Sequence, residues 1–261
     1  MIVVKFGGHA MKDEKGNFAK AISAAQKAGE KVVVVHGGGP QIDAALKAKA
    51  IESTWAGGFR VTTKEIFDVV EDVLVNQVGM QVAESLNKAG IKAQAISARS
   101  LPTVVATRRK KLIDGTEVDL GFVGDVKRVN PEHLLELIEK GIVPVVAPVS
   151  SDEDLVTGLN VNADFAAAAI AASLGASALI VMTDVAGIYR NWPDRDSLID
   201  TISAPELEAI KSGFEQGMAP KVQAALDALT YGAKAVRVID GTDPDSFAAA
   251  LAGTGGTLVV A

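Results

Sequence analysis

The stretch Val32-Val33-Val34-Val35-His36-Gly37-Gly38-Gly39-Pro40-Gln41-Ile42-Asp43 changes its physical character twice within twelve residues. Four consecutive valines read as a strand buried on both faces, the pattern of a parallel sheet. Three glycines then open backbone dihedrals closed to other residues and let a ligand approach closely, and Pro40 suits the first turn of a helix. A strand, a bare loop and a helix start, in that order, aim free N–H groups and the positive end of a helix dipole at one spot. That spot favours an anion such as a phosphate or a carboxylate. A tight strand-to-helix turn accounts for the order of elements but not for three successive glycines.

The amino end repeats the arrangement on a smaller scale. Ile2 to Phe6 reads as a short apolar strand ending in Gly7-Gly8, and a helix capped by Asn17 runs to Gly29. Val32 to Val35 then returns as a parallel neighbour, which makes a βαβ unit. After the Pro40 helix, Trp55-Ala56-Gly57-Gly58-Phe59-Arg60-Val61 sets one cation beside an aromatic and two glycines, so Arg60 is a candidate ligand clamp.

Thr62-Thr63-Lys64-Glu65 has capping-box spacing and opens a helix from Thr63 to Lys88, ended by Gly90. Its apolar positions Ile66, Phe67, Val69, Val70, Val73, Leu74, Val78 and Val82 exceed one narrow stripe. Burial by a second subunit and burial within the chain's own fold both explain that width. Asp114-Gly115 marks a hairpin turn between Pro102 to Lys111 and Glu117 to Val129, with Arg108-Arg109-Lys110-Lys111 read as a solvated tip. Asn130-Pro131 caps a helix to Gly141, and Ile142 to Ala147 is a buried strand. Strands near Leu179 and Val236, and helices near Ala163, Pro205, Val222 and Pro244, continue the alternation. The expected fold class is therefore α/β, a three-layer α/β/α sandwich around one mainly parallel central sheet.

Composition narrows the function. With 48% hydrophobic residues the chain of 261 is a packed globular protein. The absence of cysteine rules out disulfides, thiolate metal sites and thiol nucleophiles, and agrees with a reducing cytoplasm. A net charge of −6 argues against nucleic-acid binding and requires any anionic substrate to be held by a few local cations. The uncharged run from Phe165 to Met182 reads as an Ala-rich helix, a stop at Gly175 and a strand, not as a membrane span. Walker, dinucleotide, nucleophile-elbow and zincin motifs are missing, and His9, His36 and His133 are too scattered to form a site. No metal-ligating residues are assigned.

What remains is two glycine loops, single lysines at loop ends, and Gly158-Leu159-Asn160-Val161-Asn162-Ala163-Asp164. In an extended entry to a helix, Asn160, Asn162 and Asp164 share one face, whereas capping explains Asn162 alone. Gly217-Met218-Ala219-Pro220-Lys221 sets a lysine at a helix opening, where the dipole disfavours it unless an anion intervenes. Such parts suit phosphoryl transfer, in which positioning and charge neutralisation do most of the work. A carboxylate acceptor, already ionised near pH 7, needs no base.

Lys5-Phe6-Gly7-Gly8, His36-Gly37-Gly38-Gly39, Gly58-Phe59-Arg60-Val61-Thr62, Gly121-Phe122-Val123-Gly124-Asp125-Val126, Asn160-Val161-Asn162-Ala163-Asp164, Thr183-Asp184-Val185-Ala186-Gly187 and Gly217-Met218-Ala219-Pro220-Lys221 together resemble the amino acid kinase family, over nearly the whole length. The Arg60 and Asn-x-Asn-Ala-Asp segments single out its acetylglutamate branch. The resemblance implies transfer of the ATP γ-phosphoryl group to the side-chain carboxylate of N-acetyl-L-glutamate, a step of arginine biosynthesis. It assigns Lys5 and Lys221 to the phosphoryl oxygens and Asp164 to holding both lysines. Gly8, Gly37 and Gly38 would supply N–H donors, and Arg60 and Asn160, with Asn162 nearby, would bind the acceptor. Thr183, Asp184, Val185, Ala186, Gly187 and Ile188, with Gly213, Phe214, Glu215, Gly217 and Met218, would form the nucleotide pocket, with Mg²⁺ carried mainly on the ATP phosphates.

It further implies one domain with an acceptor-binding lobe (about 1–157) and a nucleotide lobe (about 158–261). Because the first strand begins at Ile2, with no extra helix before it, a homodimer paired through Thr63 to Lys88 and insensitive to arginine is expected. Two other readings stay open: a carrier-protein-linked aminoadipate or glutamate kinase, and a non-catalytic amino-acid-binding regulator on the same fold.

Overall fold

A computed structural model describes residues 1–7, 16–214, 217–243 and 245–261. The chain opens with β1 (Ile2–Phe6), α1 (Asn17–Lys27), β2 (Val32–His36) and α2 (Gly39–Ala48), followed by a small hairpin of β3 (Trp55–Ala56) and β4 (Phe59–Arg60). Next come α3 (Lys64–Glu71), a π-helical segment (Asp72–Val78) and α4 (Gly79–Lys88), then β5 (Ala93–Ser97), β6 (Val104–Arg108), β7 (Val123–Val129) and α5 (Glu132–Glu139). β8 (Val143–Ala147), β9 (Val149–Ser151), β10 (Gly158–Val161) and α6 (Ala163–Ser173) lead to β11 (Ala178–Thr183) and β12 (Thr201–Ser203). The chain closes with α7 (Ala204–Ile210), α8 (Ala219–Thr230), β13 (Ala235–Asp240), α9 (Ser246–Leu251) and β14 (Thr257–Val260).

The main sheet has eight strands in the order β12-β14-β13-β11-β1-β2-β8-β5. Every pairing in it is parallel except β13 with β14. The valine run shows why three layers form. Val32 and Val34 face a core shared with α1, α2, α3, α4 and α9, while Val33 and Val35 face the core built by α5, α6, α7 and α8. A strand's alternation, apolar at every position, covers both sides of the sheet at once.

Several local expectations change. The single sheet is joined by a second one: β6, β7, β9 and β10 form a four-stranded sheet that closes on itself, with Val105 opposite Ser151. Its short strands lie next to turns and carry mixed polarity, so the sequence shows only a hairpin there. Gly16, not Asn17, occupies the cap position of α1, and Asn130 donates its side-chain amide to Pro102 O instead of capping α5. Thr63, one residue later than the capping-box reading, caps α3 by accepting Ile66 N–H. All the apolar positions named in the 63–88 helix are buried within the protomer, so their width does not itself require a partner. Of the four cations read as a solvated tip, Arg108, Lys110 and Lys111 are exposed, with Arg108 over the Phe122 ring at 4.3 Å, but Arg109 turns inward: its guanidinium carbon sits 4.1 Å from the Phe59 ring centre and it pairs with Asp125. The helix expected near Pro244 is α9; residue 244 itself lies outside the described residues. Among the described residues no helix is long and apolar enough to cross a membrane.

Candidate active site

The carboxyl ends of the neighbouring parallel strands β11, β1 and β2 lie side by side, at the usual ligand crevice of open α/β sheets. Lys5, near the end of β1, is buried, and its side chain folds past Gly7; a Cβ on Gly7 would come within 3.0 Å of Lys5 Nζ. Asp164 stands in the first turn of α6, whose cap Asn162 accepts the Asp164 N–H at 2.7 Å. Lys5 Nζ lies 3.1 Å from Asp164 Oδ1, and Lys221 Nζ, from the first turn of α8, lies 3.2 Å from Oδ2. One carboxylate thus bridges two ammonium groups from opposite ends of the chain.

Electrostatics follow from burial. Asp164 is 3% exposed. That burial pushes its carboxyl upward, but Lys5 and Lys221 together outweigh it and bring the pKa down to about 2. Lys5 is held below the ordinary lysine range by burial and by Lys221, with Asp164 opposing both. The two ammonium groups are therefore not fully neutralised by one carboxylate, and the cluster gains from an added anion.

Two cavities meet at this cluster. The smaller, about 240 Å³, is lined by Lys5, Gly37, Gly38, Gly39, Arg60, Leu74, Asn160, Asn162 and Asp164. The larger, about 810 Å³, is lined by Lys5, Gly7, Thr183, Asp184, Val185, Gly213, Phe214, Gly217, Met218 and Lys221. Lys5 belongs to both. Their sizes suit a small acid on one side and a nucleotide on the other.

The glycines act by close approach. Gly38 has φ 170°, outside the left-handed region, so the glycine run is not explained by left-handed dihedrals. A Cβ on Gly37 would lie 3.7 Å from Gly7 Cα across the strand ends, and one on Gly38 would lie 2.5 Å from Leu74 Cδ2. Bare backbone is what lets the floor of the smaller cavity sit this close to both strands.

Arg60 is 5% exposed on β4. Its Nη1 donates to Ser53 Oγ at 2.6 Å, its guanidinium carbon is 4.5 Å from the Trp55 ring centre, and Nη2 lies 2.8 Å from Asp43 Oδ1. The Asp43 contact is off the hydrogen-bond direction, leaving Nη2 without a bonded acceptor. Asn160 donates to Thr62 Oγ1 at 3.2 Å, and that hydroxyl donates to Arg60 O at 2.8 Å, so the two acceptor candidates are tied together.

Of the expected nucleotide residues, Ala186, Gly187 and Ile188 do not line the larger cavity. Ile188 is fully buried and donates its N–H to Thr257 Oγ1 at 2.8 Å, while a Cβ on Gly187 would strike the same oxygen at 2.5 Å. Gly187 and Ile188 thus pack against Thr257 and not into the cavity. Gly8 and Glu215 lie outside the described residues. Sequence reasoning missed Tyr189, Arg190, Asn191 and Trp192, which line the larger cavity directly after Ile188. The chain has only two tryptophans and two tyrosines, and one of each falling three residues apart was the available signal. Asp43, Ser53 and Thr62 were missed because their roles depend on folding. Among the described residues no group of histidine, aspartate and glutamate side chains is arranged to hold a metal ion.

Comparison with known proteins accords with this geometry. The model of the amino acid kinase family matches residues 1–240. The chain belongs to the amino acid kinase family. Acetylglutamate kinase of Nocardia farcinica is 46% identical over 246 residues, covering 94% of this chain and 81% of that protein. The enzyme of the same name from Beutenbergia cavernae is 46% identical over 247 residues, 94% of this chain and 79% of that protein. Among solved structures, a Streptococcus mutans protein superposes with a TM-score of 0.82 at 30% identity, covering 99% of this chain and 98% of that one. Giardia lamblia carbamate kinase bound to AMP-PNP, at 18% identity and a TM-score of 0.74 over 99% and 97% of the two chains, shares the fold.

Proposed function

We propose that this amino acid kinase is an acetylglutamate kinase, transferring the ATP γ-phosphoryl group to the side-chain carboxylate of N-acetyl-L-glutamate in arginine biosynthesis. The observation that carries the reading is Asp164, held between Lys5 and Lys221 where the two cavities join. Relatives named acetylglutamate kinase at 46% identity support the choice of acceptor.

The nucleotide occupies the larger cavity and the acceptor the smaller. A carboxylate oxygen of the acceptor bonds to the γ-phosphorus as the bond from that phosphorus to the β–γ bridging oxygen breaks, its electron pair leaving on ADP. The acceptor is already ionised, so no proton moves. Lys5 and Lys221 neutralise the charge spread over the transferring oxygens, and Asp164 keeps both ammonium groups at the junction. Gly38 and Gly8 provide peptide N–H donors, whereas the Gly37 N–H expected to join them is already given to Phe6 O at 2.8 Å; Arg60, Asn160 and Asn162 orient the acceptor, with the Arg60 fork taking its α-carboxylate in place of Asp43. Thr183, Asp184, Val185, Gly213, Phe214, Gly217 and Met218 hold the nucleotide. Mg²⁺ would arrive on the ATP phosphates and offset their charge, and Asp184, which lines that cavity, would help hold it.

In this reading residues up to about 157 serve the acceptor and the remainder the nucleotide, in a cytoplasmic enzyme. Pairing into a homodimer uses the 63–88 helix, where Met80 is 57% exposed, with Leu101 and Val156 exposed beside Arg99, which bonds both Glu71 and Val156. A dimeric mass in solution, lost on Met80→Glu, would support this; a monomeric mass would refute it.

The test of the activity is to incubate the protein with MgATP and N-acetyl-L-glutamate and trap the acyl phosphate with hydroxylamine. Hydroxamate that depends on both substrates supports the reading. Product only with a carrier-bound acceptor, or none with either, overturns it.

A further inference from the structure

His36 ends β2 and is completely buried, yet the site described above gives it no task. Its Nδ1 lies 2.9 Å from Gly37 O, while Nε2 is buried without any hydrogen-bond partner. A carbonyl oxygen only accepts, so Nδ1 carries the proton and Nε2 the bare lone pair. The opposite tautomer would leave a buried N–H orphaned, the costlier of the two omissions. Burial also keeps the ring neutral, drawing its pKa down to about 4 against the opposing Gly37 bond.

The ring has a slot made for it. Gly79, just past the π-helical segment, faces the imidazole, and a Cβ there would lie 3.0 Å from Nε2 and 3.1 Å from Leu74 O. On the other side, Gly37 N–H donates to Phe6 O at 2.8 Å. Two successive peptides are thus fixed, the first by β1 and the second by the His36 ring. In a planar trans peptide the N–H points opposite to the C=O. Turning Gly37 O toward the ring therefore turns Gly38 N–H away from it, and among the described residues that N–H bonds to no group. Gly38 lines the smaller cavity.

We propose that His36 is a positioning residue that locks the Gly37–Gly38 peptide so that Gly38 N–H faces the acceptor cavity as a preset donor to the phosphoryl oxygens. The last part rests on the activity proposed above. His36 touches no substrate; it acts through the peptide it orients.

Three variants separate orientation from packing. His36→Asn keeps an N–H donor where Nδ1 stands, His36→Gln moves it toward the Nε2 position, and His36→Leu fills space with no donor. Steady-state rates with MgATP and N-acetyl-L-glutamate should leave the Asn variant within about threefold of wild-type kcat. The Gln and Leu variants should fall roughly ten- to a hundredfold, less than for outright removal of an oxyanion donor, with KM for MgATP unchanged. Equal losses in the Asn and Leu variants, or a wild-type rate in the Leu variant, would overturn the proposal. A readout free of activity and of variant folding is the long-range proton–nitrogen NMR spectrum of the histidine rings in the ¹⁵N-labelled wild-type protein. It should show His36 as the Nδ1–H tautomer, unchanged as the pH falls from about 8 to 5; an Nε2–H ring, or protonation in that range, would overturn it. A wild-type protein that makes no acyl phosphate would instead refute the activity, leaving the tautomer to decide the peptide lock.

Discussion

Replacing Asp164 by Asn removes one charge from the centre of the site while keeping its shape. Lys5 and Asp164 are both buried, so the change leaves two ammonium groups facing each other without the carboxylate charge between them. Depression of the Asp164 pKa from the ordinary 3.8 to about 2 corresponds to about 2 kcal/mol of stability, and breaking buried ion pairs by deleting one partner costs about 3–5 kcal/mol. A loss of about 2–4 kcal/mol lowers the melting temperature of a chain this size by roughly 5–15 °C. The sign with pH follows from the depressed pKa: the unfolded chain binds the proton more tightly, so the contribution is full above about pH 4 and is lost as pH falls toward about 2. The gap between the melting temperatures of wild type and Asp164→Asn should therefore be widest near neutrality and close over that acid interval. Lys5 acts at the other end, where its depressed pKa makes stability rise as the pH climbs toward the ordinary 10.5. Turnover in the variant should drop by about 10²- to 10³-fold, because both charge stabilisers lose their anchor. A variant that melts within about 2 °C of wild type at pH 7 and keeps a third of its turnover would refute the reasoning.

Lys221→Ala should lower kcat by about 10²- to 10³-fold in the coupled ADP-release assay, with a near-normal rate removing Lys221 from the mechanism. Arg60→Lys keeps the charge but loses the fork that reaches Ser53 and Asp43; KM for N-acetyl-L-glutamate should rise roughly ten- to a hundredfold while KM for MgATP holds, and parallel rises would refute the assignment. Gly38→Ala should cost about 1–3 kcal/mol in urea unfolding because its Cβ meets Leu74 Cδ2, and the double variant with Leu74→Ala should show favourable coupling; additive losses would contradict that contact.

The sheet was legible because its signals are local and repeated. The valine run of β2 states by itself that both faces are covered, and β1, β8 and β11 repeat it. The second sheet was not legible, since β9 and β10 are three and four residues long and pair with strands distant in sequence. Lys221 stood out through a physical anomaly, a cation at the opening of α8 where the dipole disfavours it, and Asn160, Asn162 and Asp164 through their alternation. Their meeting across 57 residues between Asp164 and Lys221 is a property of the fold and could be named only through family resemblance. The same resemblance carried Ala186, Gly187 and Ile188 into the nucleotide pocket as one block. The fold parts that block, turning Ile188 inward to Thr257. His36 was set aside because an isolated histidine at a strand end carries no pattern; its hydrogen bond to the next peptide exists only in three dimensions.

The central claim is that the Lys5–Asp164–Lys221 cluster receives the phosphoryl group as it passes between the two cavities. A crystal structure with MgADP, N-acetyl-L-glutamate and a planar metal fluoride in place of that group tests it most directly. The fluoride should lie within hydrogen-bond distance of both lysine Nζ atoms and of Gly38 N, with the acceptor carboxylate and ADP on opposite faces. A fluoride bound away from either lysine, or with both substrates in one cavity, would contradict it.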